Sequence, residues 1–146
     1  MRGIVLKKTP YREKGWMFTL LVEEKGTCTL FSHPSCHAPG ISVFHLVLVH
    51  TSIFRGKEYI TEIELEDGFS ELRSSFDKLR SLDAMCKVLL RVEPTALSFR
   101  LFLEILSLMK TSNQPEALET AFYTKLAKIE GFPDTQTFFE YAKGGT

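Results

Sequence analysis

The hydrophobic period of this chain changes once, at Asp67-Gly68, and that single change decides which folds are open to it. Before it, apolar residues recur every second position, as strands require; after it they recur at about 3.6, as helices require. Strands followed by helices, without alternation, predict an α+β protein and exclude a parallel βαβ sheet.

The strand half holds five short runs. Arg2–Lys8 is closed by Thr9-Pro10. Trp16–Val22 carries Trp16, Phe18, Leu20 and Val22 on one face and Met17, Thr19 and Leu21 on the other, so it is expected to be a central strand covered on both sides. Glu24-Lys25-Gly26 is a hairpin turn, with Gly26 supplying positive φ, and Thr27–Phe31 returns. Ser32–Gly40, with two prolines and a glycine, is a loop. Val43–Thr51 is rich in β-branched residues, Arg55-Gly56-Lys57 turns, and Tyr59–Glu66 alternates. The alternation points Tyr59, Thr61, Ile63 and Leu65 inward and Ile60, Glu62, Glu64 and Glu66 outward. Five short strands in so little chain predict a small closed barrel of the OB type over residues 1–67.

The remainder, 68–146, is predicted to be a helical domain. Leu72, Phe76 and Leu79 form one stripe, and Met85, Val88, Leu89 and Val92 the next. Glu93-Pro94 breaks the chain, and Thr95 caps a helix over Ala96–Lys110. Pro115 opens a helix over Glu116–Glu130 that stops at Gly131, and Pro133-Asp134 starts a last one through Ala142.

Composition limits function. Lys+Arg and Asp+Glu both number 18, so the chain as a whole is not a polyanion-coating protein. The balance is uneven, however: residues 1–60 carry eight bases against four acids, and residues 61–146 ten against fourteen. Three cysteines, Cys28, Cys36 and Cys86, without a close pair, point to a reducing compartment. The longest strongly apolar stretch, Ile41–Val49, is too short to span a bilayer, and the N-terminal run is too short for a signal peptide. A cytoplasmic protein without a membrane partner is expected. No phosphate-cradling Gly-rich loop, HExxH or serine elbow occurs, so no enzymatic activity is expected.

Several segments in order resemble one family. These are Gly3-Ile4-Val5-Leu6-Lys7, Pro10-Tyr11-Arg12-Glu13, Phe18-Thr19-Leu20-Leu21 and Glu24-Lys25-Gly26 in the strand half. In the helical half they are Glu93-Pro94-Thr95 with Phe99, Leu101, Leu103 and Leu106, and Leu126 followed by Ile129-Glu130-Gly131-Phe132-Pro133. Together they resemble the bacterial recombination mediator RecO family. The resemblance implies an N-terminal OB-fold, a helical region, binding and annealing of single-stranded DNA, and partnership with RecR-like and single-strand-binding proteins. Two features depart from it. Ser32–Gly40 has no Lys or Arg where the family carries a basic stretch, and no cysteines follow Gly131 for the family's zinc site. The chain is therefore expected to be a short, diverged member, binding single strands weakly and docking partner proteins. A protein-interaction module without DNA binding is the alternative.

Single-strand binding needs cations along the backbone path and aromatic rings for the bases. The candidate cations are Arg2, Lys7, Lys8, Arg12, Lys14, Arg55 and Lys57, and the candidate stacking ring is Tyr11, which could equally fill the barrel. Phe54 and Tyr59 are also available, while Trp16, in phase with Phe18 and Leu20, is expected in the core. Glu62, Glu64, Glu66 and Asp67 are a solvated edge or a surface for a basic partner. His33, Cys36 and His37 are soft ligands that could hold zinc with His45 or His50, but match no standard spacing. No third residue orients them as a nucleophile pair. No cofactor is expected.

Overall fold

A computed structural model describes residues 1–13, 15–32 and 40–142. The chain divides into two compact units, Met1–Gly68 and Phe69–Thr146.

The first unit is a closed barrel of five strands in the order β1-β2-β3-β5-β4, the OB-type arrangement. The strands are β1 (Arg2–Tyr11), β2 (Gly15–Val22), β3 (Gly26–Ser32), β4 (Leu46–Phe54) and β5 (Lys57–Asp67). Antiparallel hairpins join β1 to β2, β2 to β3 and β4 to β5. Two contacts then close the sheet. Arg2–Ile4 of β1 pair with Leu46–Leu48 of β4, and Phe31-Ser32 of β3 run parallel to Tyr59-Ile60 of β5. The β4–β5 turn places both Arg55 and Gly56 at positive φ (51° and 79°), the two-residue geometry that matches strand twist. Inside, Val5, Phe18, Leu20, Val22, Leu30, Ile41, Val47, Val49 and Ile60 form one core. Leu20 and Leu21 are both fully buried, so β2 is covered on both faces as its sequence predicts.

Three details differ from the sequence expectations. β1 runs through Pro10 to Tyr11, because its β4 pairing stops at Ile4. Beyond that point β2 is its only ladder partner among the described residues, and a residue without N–H is tolerated at such an edge. β4 begins at Leu46 rather than Val43, because Phe44 adopts φ 74° within a turn in which the Ser42 N–H donates to His45 Nδ1 at 3.1 Å. A left-handed residue cannot continue an extended run. Third, Thr51 faces Ile60 but His50 faces Glu62, leaving Thr61 as an extra residue in β5. This bulge reverses the expected phase before it: Ile60 points inward at 1% exposure and Tyr59 points outward. Ile63 still packs against the core.

In the second unit a short 3-10 turn (Ser70–Leu72) precedes α1 (Phe76–Arg91), α2 (Ala96–Met109), α3 (Pro115–Ile129) and α4 (Thr135–Ala142). Phe76, placed by its spacing on a buried stripe, is exposed. Ser75 caps α1 by accepting from the Lys78 N–H, and at α2 Ser98 Oγ accepts the Thr95 N–H at 3.1 Å. α3 ends in a Schellman motif: Gly131 (φ 82°) donates to Lys128 and Phe132 to Ala127, so the last carbonyls are satisfied. Phe99, Phe102, Leu106, Phe122, Leu126 and Phe138 are buried at the centre of this unit. No described helix is long and apolar enough to cross a membrane.

Phe18→Ala should lower barrel stability by about 3–5 kcal/mol, the usual cost of emptying a buried phenylalanine site. Urea unfolding followed by the fluorescence of Trp16, the one tryptophan in the chain, measures it.

Candidate nucleic-acid interface

Residues directly opposite in a ladder share a face, so the register builds the outer surface of the barrel residue by residue. Thr9 faces Met17, Met17 faces Phe31, Phe31 faces Tyr59 and Tyr59 faces Ser52. Beside this row, Lys7 faces Thr19, which faces Thr29. Tyr11 lies two residues beyond Thr9, and Lys57 two before Tyr59 and opposite Phe54. Leu30 and Phe18 alternate to the inside, which makes this row the outside.

Three rings meet on that face. Tyr11 and Phe31 have centroids 4.7 Å apart, and Phe31 and Tyr59 5.8 Å. Lys57 is set among them: its Nζ donates to Tyr11 Oη at 2.5 Å and lies 5.1 Å from the Tyr11 ring and 5.2 Å from the Phe31 ring. Arg12, at φ 51° in the β1–β2 turn, places its guanidinium carbon 5.2 Å from the Tyr11 ring. Gly15 holds that turn tight, because a Cβ there would lie 2.6 Å from the Tyr11 carbonyl oxygen. The Tyr11 phenol has a lowered pKa: the hydrogen bond from Lys57 favours the phenolate, with a smaller contribution from the charge of Arg12, against a partial opposing effect of burial. No carboxylate forms an ion pair with Lys7, Arg12, Arg55 or Lys57 among the described residues.

The expected cations divide. Lys7, Arg12, Lys57 and, at the adjoining hairpin tip, Arg55 lie on or beside this surface. Arg2 does not join them: its guanidinium bonds Glu66 (Nη2 to Oε2 2.7 Å) and Glu23 (Nη1 to Oε2 3.0 Å), and these carboxylates raise its pKa. Lys8 has the inner phase opposite Phe18. Its Nζ donates to the Ile41 carbonyl at 2.7 Å and sits 4.2 Å from the Trp16 ring. Trp16, expected in the core, keeps the inner phase but is 36% exposed. Lys14 lies outside the described residues. Phe31 was not among the expected rings. The signal for it is its place next to buried Leu30 in an alternating strand.

The surface changes sign at the Thr61 bulge. Beyond it the outward positions of β5 are Glu62, opposite His50, and Glu64, opposite Leu48. His33, Cys36 and His37 lie outside the described residues, and no group of three metal-ligating side chains occurs among the described ones. Burial pushes the Cys28 thiol up to about 11, so it is held as the unreactive thiol near neutral pH.

In an alkaline titration followed by tyrosinate absorbance, Tyr11 should ionise below the ordinary tyrosine range, and Lys57→Met should move that step upward. The sign follows from the ammonium stabilising the phenolate. Compared with known proteins, the chain matches no protein-family model and no curated protein.

Proposed function

We propose that this protein is a RecO-like, non-catalytic factor of DNA recombination and repair that binds single-stranded DNA on the outer face of its barrel and docks partner proteins. The observation that carries the DNA-binding part is the Tyr11–Phe31–Tyr59 row with Lys57 set into it. Rings offer stacking platforms to bases of any sequence, and adjacent cations follow the phosphates. Its position supports the same reading: an OB-type barrel binds oligonucleotides on the face of its second and third strands, flanked by the first and last hairpin loops. Phe31 is on β3, Arg12 in the β1–β2 turn and Arg55 in the β4–β5 turn. The RecO-like role, with RecR-like and single-strand-binding partners, rests on the ordered resemblance of the chain alone.

The expected affinity is modest. Arg2 and Lys8 are engaged within the barrel, so few cations remain for phosphates. The acidic row of Glu62 and Glu64 favours a second reading, in which a basic protein partner docks on β5 and no nucleic acid is bound. Salt-independent capture of such a partner, with no retention of DNA, would establish that alternative.

Fluorescence anisotropy with a labelled oligothymidine at low salt tests the proposal. Lys57→Ala should weaken binding and lower the salt slope by about 0.7. Phe31→Ala should cost about 1–3 kcal/mol with the salt slope unchanged. No binding at low salt, or binding indifferent to Lys57→Glu, refutes the proposal.

A further inference from the structure

The β4–β5 hairpin continues past the barrel. Pairing of β4 with the start of the chain ends at Val49, where Met1 and Val49 exchange backbone hydrogen bonds, and pairing of β5 with β3 begins at Tyr59. From Thr51 to Glu58 the two strands have only each other as ladder partners among the described residues. The ribbon is nevertheless tied across its width. Its turn is a tight two-residue one, and Thr51 Oγ1 donates across the strands to Glu58 at 2.5 Å. Its end carries two adjacent large apolar side chains, Ile53 at 77% and Phe54 at 60% exposure. Being adjacent in a strand they point to opposite sides, Ile53 over Glu58 and Phe54 over Lys57. Water is therefore in contact with apolar surface on both sides of the tip, and Arg55 stacks on the Phe54 ring at 5.2 Å.

A tip that is apolar on both sides, with Arg55 in its turn and Lys57 opposite Phe54, suits insertion between two flat apolar surfaces whose rims are anionic. Stacked base pairs at the end of a duplex meet that description. We infer that the Ile53-Phe54 tip is a wedge that unstacks the first base pair where a duplex meets a single strand. This rests on the single-strand reading above: with the tail lying along Tyr11, Phe31 and Tyr59, the ribbon extends from the same face, and Lys57 on its last rung borders that ring row. The preferred ligand is then a single-strand/duplex junction rather than a free single strand. An acidic lipid surface would also accept an apolar tip, but it gives no role to the ring row that the ribbon extends.

The test compares anisotropy of a labelled tail alone with the same tail joined to a duplex carrying 2-aminopurine at its first pair. The wild-type chain should bind the junction about tenfold tighter and raise the 2-aminopurine signal on unstacking. Ile53→Ser should abolish both effects while leaving affinity for the tail unchanged, since Ile53 is not on the ring face and its exposure makes it dispensable for folding. Phe54→Ser should also abolish the junction preference. Equal affinity for tail and junction, or a preference that survives Ile53→Ser, overturns the wedge and leaves single-strand binding intact. Failure to bind the tail itself removes both. Binding to phosphatidylserine vesicles that Ile53→Ser abolishes, with no junction preference, assigns the tip to membranes and overturns the inference.

Discussion

Thr61 has no opposite number in the β4–β5 ladder, and the character of the barrel surface depends on that surplus residue. A strand shows alternate side chains to core and solvent, so one inserted residue exchanges the two sets on one side of the bulge. Here the exchange sends Ile60 into the core and Tyr59 out. It puts Lys57 on the same side as Tyr59, where the parallel contact with β3 brings it to Phe31. The Thr61 hydroxyl donates to the His50 carbonyl at 3.0 Å, which satisfies an acceptor at the irregular point of the ladder. Without the bulge, Tyr59 would compete for core volume and the ring row would lose its last member.

The same surface is sustained by two further local devices. Gly15 lets the β1–β2 turn fold back to the Tyr11 carbonyl without a clash, which fixes where the first ring stands. Lys57 then joins the first ring to the last strand through its bond to Tyr11 Oη. Neither contact is a source of much stability on a solvated surface. Their effect is to reduce the number of arrangements the side chains can adopt, so less ordering would remain to be done in the binding proposed above.

The barrel, its five strands and the helical remainder were legible because each rests on local signals: alternation, turn residues and caps. The Gly26 turn, the Thr95 cap and the Gly131 stop are decided within a few residues of chain. What was not legible depends on partners distant in sequence. The phase of Tyr59–Glu66 looks unbroken, because polar and apolar residues alternate through the bulge and the register is set by β4. Val43–Leu46 has strand composition, yet Phe44 takes a left-handed conformation that its identity disfavours. Trp16 shares the inner phase of Phe18 but lies at a strand end, where inner phase does not mean burial. Lys8 and Arg2 are indistinguishable from Lys57 as charges in a row of letters. Their bonds to Ile41, Glu66 and Glu23 separate them, and those bonds come from closure of the barrel.

The reversal of sign along β5 bears on how the proposed binding would begin. With Lys57 and Arg55 at one end and Glu62 and Glu64 beyond the bulge, the outward row of β5 is polar in charge within a chain of zero net charge. A neutral dipole is not drawn to a polyanion from afar, yet at close range it is turned by the field. For the nucleic-acid binding proposed above, that turning would bring the basic start of β5 toward the polymer and carry the acidic stretch away from it.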